Sequence, residues 1–152
     1  MPPLLSLQRD LCFVEVIEGE TDDLQRQTSD SSLLDRLGRC GVLLQSIEIN
    51  AAGCFVVVNC ADIERLKDVV RSYNVAIRVR DRCGRIRLRR GGRRAFLPSL
   101  ASVLAALHHE SIRIVHFLAD AAEVVILVDA RQVASAMAIM GSFSKTNAQC
   151  SA

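Results

Sequence analysis

The chain has 152 residues, enough to bury a sizeable core as one domain or as two small ones packed together. Half of it is apolar, only 4% is aromatic and the mean hydropathy is +0.23, a composition that excludes an intrinsically disordered segment. Net charge is only +2, yet 17 of the 19 basic residues are Arg and nine of those lie between 78 and 94, so any positive field is local.

In chain order, MPPLLSLQRD opens without a basic region leading into a long apolar stretch, and no run reaches membrane-spanning length. A soluble, cytoplasmic protein is the expectation. Leu4–Leu7 is a short candidate strand and LCFVEVIE (11–18) a second. After the polar loop GETDDLQRQTSDSS (19–32), Leu33, Leu34 and Leu37 recur at helical spacing. Strands follow at 42–49 and 54–58, separated by Ala51-Ala52-Gly53, and Asn59 signals the cap of a second helix. VAIRVR (75–80) and RIRLRR (85–90) read as two strands joined by Asp81-Arg82-Cys83-Gly84. Pro98 fits the first turn of a helix in which Val103, Leu104 and Leu107 recur. Strands at 112–118 and 124–128 come next, then a helix capped by Asp129 with Gln132 as its capping-box partner. GSFSKTNAQCSA is polar and small, so residues 144–152 are expected to be a flexible tail.

An internal repeat organises this order. Residues 32–70 lie over 102–140 at a constant offset of 70 without a gap, and although only six of the 39 pairs are identical, apolar residues match throughout. Leu34/Leu104, Leu37/Leu107, Val42/Ile112, Leu44/Ile114, Val58/Val128, Ile63/Val133 and Val70/Met140 are examples. With the flanking strands, each copy reads β-α-β-β-α-β, the ferredoxin-like order in which two helices cover one face of an antiparallel sheet. The expected fold class is therefore α+β with two such units packed together. The first unit spans 9–80 and the second 81–143, completed by the N-terminal strand 3–8.

Little in the chain suggests chemistry. The six cysteines (12, 40, 54, 60, 83, 150) have no Cys-x-x-Cys and no regular spacing, so neither a disulfide framework nor a zinc site is expected. His108 and His109 end a helix, where adjacent side chains point about 100° apart and do not share one metal easily. No Gly-x-Ser-x-Gly, His-Glu-x-x-His or phosphate-cradling P-loop occurs, and the expectation is no enzyme, no cofactor and no metal. Arg78 and Arg80 share one face of their strand, and Arg85, Arg87 and Arg89 one face of theirs, opposite Ile86 and Leu88. That alternation reads first as the wet face of a half-buried sheet, then as an interface or small-anion site, and least as a nucleic-acid grip, because no aromatic platform interrupts the run. Ser29, Asp30, Ser31 and Ser32 precede a helix whose free N–H groups bind a carboxylate or are simply capped.

The tandem β-α-β-β-α-β pattern, with the first strand completing the second unit, resembles the ACT-domain regulatory region of aspartokinases. The stretch PSLASVLAALHHESIRI…EVVILVDARQVASAM (98–114, 123–137) is similar to that family's Pro-Gly-Val-Ala…Leu…Ile-x-Ile…Val-x-Val-Asp…Ala pattern. Nothing in the 152 residues resembles the nucleotide-binding motifs of the kinase catalytic domain. The resemblance implies a dimer that binds a small amino acid at an interface and switches an attached or partner enzyme of amino-acid metabolism. The implied ligand positions are Gln45, at the end of Leu43-Leu44-Gln45 where the family has Asn-x-Asp, then Asn50, and Pro98-Ser99, where the family has Pro-Gly. The alternatives left open are a ligand-free interaction subunit of the same fold and a nucleic-acid binder through the Arg-rich face.

Overall fold

The computed structural model describes residues 4–17, 31–50, 53–72, 76–89, 96–120 and 123–149, with the side chains of 4, 31–34, 50, 96–99 and 144–149 outside that description. In chain order the elements are β1 (Leu4–Ile17), α1 (Ser31–Arg39), β2 (Leu44–Asn50), β3 (Gly53–Asn59), a 3-10 turn (Cys60–Asp62) and α2 (Ile63–Arg71). There follow β4 (Ala76–Arg89), α3 (Phe96–His109), β5 (Ile114–Ala119), β6 (Glu123–Asp129), a second 3-10 turn (Ala130–Gln132) and α4 (Val133–Gln149). The fold is α+β. The chain divides into two compact units, Asp10–Arg82 and Met1–Arg9 with Cys83–Ala152.

In the first unit the strand order is β2-β3-β1-β4, with β1 and β2 antiparallel to β3. Cys12, Val14 and Val16 alternate along β1 onto the face covered by α1 and α2, where they meet Val56, Val58, Leu37, Leu66, Val69 and Val70. The spacing of Leu66, Val69 and Val70 puts all three on one side of α2, and full burial of each such side chain contributes about 1.5–3 kcal/mol. The opposite face carries Leu11, Phe13 and Val57, also buried, and the stacked rings of Phe13 and Phe55 with centroids 5.7 Å apart.

In the second unit the order is β1-β4-β6-β5, with β4 and β5 antiparallel to β6. Ile86 and Leu88 of β4 pack with Val124, Ile126, Val128, Val103, Leu107, Ala136 and Met140 under α3 and α4. Leu5 and Leu7 of β1 join the edge of this core.

The repeat reaches below the level of elements. Both units interrupt the ladder at the same place, between Leu44 and Ser46 and between Ile114 and His116. Both close their first helix with a left-handed residue, Gly41 at φ 72° and Ser111 at φ 55°. The bonds Val42 N–H to Leu37 O and Gly41 N–H to Gly38 O recur as Ile112 N–H to Leu107 O and Ser111 N–H to His108 O, which is the Schellman pattern.

Four local expectations change. The strands read separately at 4–7 and 11–18, and again at 75–80 and 85–90, are continuous as β1 and β4. Asp10 (φ 57°) and Arg82 (φ 54°) absorb the irregularity as single left-handed residues inside their strands, so Asp81–Gly84 is not a loop. Gln132 does not form a capping box: its Oε1 accepts from the Arg113 N–H and its Nε2 donates to Ser111 O, both at 3.0 Å. Asp129 does cap, accepting from the Arg131 N–H at 2.9 Å, whereas Asn59 makes no side-chain cap bond. Finally, α4 runs on to Gln149, across most of the segment read as a tail. Its polar residues carry only modest helix penalties, and Phe143 still packs on the core one turn earlier.

Candidate functional site

Two groups of residues were candidates, and the fold treats them differently. Of the ligand candidates, Ser29 and Asp30 lie outside the described residues, and Ser31 and Ser32 form the first turn of α1. Gln45 occupies the bulge of β2 and is half-buried. Asn50 ends β2 opposite Gly53, beside the strand position where Val16 of β1 meets Cys54. Five residues of extended chain separate Gln45 from Asn50, about 16 Å at roughly 3.3 Å per residue, so the two do not reach one small molecule together. Pro98 and Ser99 sit in the first turn of α3, where Pro lacks only an N–H that would be unbonded anyway.

The arginines are brought together more closely. Arg85, Arg87 and Arg89 project from β4 on the face opposite Ile86 and Leu88, as the alternation required, and the register sets them beside Leu127, Val125 and Glu123 of β6. They are not uniformly wet. Arg85 is half-buried and donates to Gln8 Oε1 of β1. Burial, and then the neighbouring Arg87 charge, push its pKa below the usual arginine value, with Glu123 partly opposing. Glu123 is the shared counter-charge, 3.4 Å from Arg87 Nε and 3.2 Å from Arg89 Nε. Arg87 Nε is buried and finds no hydrogen bond of good geometry, only that carboxylate. Gln8 and the two ion pairs were invisible to strand alternation, because they depend on which strands become neighbours. In the first unit Arg78 and Arg80 are exposed, and Arg78 donates to Glu15 Oε2 at 2.9 Å, a pair worth little in water.

Sequence reasoning passed over a third cluster. The sulfur of Cys12 lies 3.0 Å from that of Cys60. Its thiol pKa is pushed up to about 12, by burial first and then by the hydrogen bond to and charge on Cys60. Among the described residues no disulfide is formed, and no three His, Cys, Asp or Glu side chains gather as a metal cage. No helix among them is long and apolar enough to cross a membrane.

No family model matches the sequence, and no curated protein does. The fold, in contrast, has clear counterparts among solved structures. The aspartokinase alpha and beta subunits superpose with a TM-score of 0.74 at 14% identity, over 91% of this chain and 95% of that one. The regulatory subunit of aspartate kinase from Thermus flavus gives 0.74 at 9% identity, over 91% and 95%. The allosteric aspartate kinase of Clostridium acetobutylicum gives 0.75 at 10% identity, covering 93% of this chain but 34% of the longer enzyme. At such identities the likeness is one of fold: the chain has the architecture of an aspartokinase regulatory region.

Proposed function

We propose that the chain is a non-catalytic regulatory module that senses a small amino acid and modulates an enzyme of amino-acid metabolism, working as a homodimer in the cytoplasm. The observation that carries this reading is the end-to-end match to an isolated aspartate kinase regulatory subunit, 91% of this chain against 95% of that one. The ends of β2 and of the first helix offer the means in the first unit: Asn50 at the strand terminus and the free N–H groups of the Ser31-Ser32 turn suit an α-carboxylate. The corresponding turn in the second unit is Pro98-Ser99.

A ligand that binds only the folded state raises the melting temperature in proportion to RT ln(1 + [L]/Kd). The full chain is therefore melted against each of the twenty amino acids at millimolar concentration. One of them is expected to raise the midpoint by a few degrees, saturably, and Asn50→Ala or Ser99→Ala is expected to remove the shift. A flat response to all twenty and to common biosynthetic intermediates would leave an interaction subunit of the same fold, without a ligand.

A further inference from the structure

Cys12 faces the helices from β1, and Cys60 opens the 3-10 turn that follows β3. The register sets Cys12 opposite Val58, so Cys60 is its diagonal neighbour on the same face. The two sulfurs stand 3.0 Å apart, about 1 Å more than a disulfide bond of ~2.05 Å. Cys12 is 1% exposed, while Cys60 is half-buried and so the more accessible of the two. The fold does not require thiols at this corner. In the second unit Gly84 opposes Val128 as Cys12 opposes Val58, and Ala130 stands where Cys60 does, so the same junction is built there from Gly and Ala.

We propose that Cys12 and Cys60 form a dithiol that closes reversibly to a disulfide by exchange with a low-molecular-weight disulfide of the glutathione class. The Cys60 thiolate attacks one sulfur of the small disulfide, whose S–S bond breaks; one small thiolate leaves and takes a proton from water. The Cys12 thiol then gives its proton to solvent and attacks Cys60 Sγ, displacing the second small thiol. Two protein thiols and one small disulfide thus become one protein disulfide and two small thiols. The order follows from the surroundings: buried Cys12, with its raised pKa, is a poor first nucleophile, and capping Cys60 removes part of what raises it. Because the sulfurs start about 1 Å beyond bonding distance, closure needs only a small movement of the 3-10 turn toward β1.

The test treats the full chain with oxidised glutathione, quenches with an alkylating agent and maps peptides by mass spectrometry. The expected product is two mass units lighter at that peptide pair, joins Cys12 to Cys60, and returns to the dithiol with dithiothreitol. Cys12→Ala is expected to stop at a glutathione adduct on Cys60, and Cys60→Ser to leave Cys12 unmodified, both variants keeping the native circular dichroism spectrum. Recovery of both cysteines in alkylated form from the treated, folded wild-type chain overturns the proposal. So does a wild-type chain that halts at the Cys60 adduct.

Discussion

The two units solve one packing problem in opposite ways. Where the first strand of each passes beneath the start of its second helix, the first unit has Cys12, Cys60 and Ile63, and the second has Gly84, Ala130 and Val133. A methyl group on Gly84 would stand 2.3 Å from Val133 Cγ2, so in the second unit the helix side chain fills the space that the strand side chain gives up. In the first unit the strand side chain stays and meets a second sulfur. One topology therefore fixes the volume at this corner but not which element supplies it, and only the first unit's solution leaves reactive atoms there.

The two solutions are tested against each other when the second unit is made to imitate the first. Gly84→Ala is expected to destabilise by about 2–3 kcal/mol through overpacking, measured by urea denaturation. Adding Val133→Ala should recover part of the loss, because the two side chains compete for one space. If Gly84→Ala proves neutral, the close packing claimed for this corner is wrong. The open faces offer a second contrast. Glu123→Gln strips half-buried Arg87 and exposed Arg89 of their shared carboxylate and is expected to cost about 1–2 kcal/mol, whereas Glu15→Gln, at the exposed pair with Arg78, should cost about 0.5 kcal/mol or less.

The helix ends differ in the same way. Gly41→Ala forces a side chain into φ 72° and is expected to cost about 1 kcal/mol, while Ser111→Gly relieves φ 55° and should gain about 0.5–1 kcal/mol, read as opposite shifts in melting temperature. A last contrast appears only at alkaline pH. The Cys12 thiol ionises at about 12 when folded against an ordinary 9.0, so its contribution is complete below pH 9 and is lost as pH rises toward 12. Stability measured across that window should fall less steeply in Cys12→Ala than in the wild-type chain.

The regular parts of this fold were legible because they rest on periodicity. Alternation along Cys12-Val14-Val16 and Ile86-Leu88, and helical spacing in Leu66-Val69-Val70, report burial directly. Continuity through Asp10 and Arg82 was not legible, since a single left-handed residue in a strand leaves no compositional mark when it is not Gly. The role of Gln132 was misjudged for a related reason: three residues after Asp129 it fits a capping box, but the turn at Ser111 offers its amide two better-placed partners. Contacts such as Arg85 with Gln8, or Cys12 with Cys60, join residues 77 and 48 positions apart and follow from strand order alone. Alternation placed the arginines on the correct face of β4 without revealing how much of that face is half-buried.

The division of β1 at Asp10 also sets a timetable. Residues 4–9 group with Cys83–Ala152, so the part of β4 that belongs with them, Cys83 to Arg89, is made long after they are. At roughly 5–20 residues per second, the ribosome takes about 4–15 s to deliver that partner. Throughout that interval Leu5 and Leu7 have no core of their own to enter. Two apolar side chains of β1 thus wait, during synthesis, on a partner strand about 75 residues downstream.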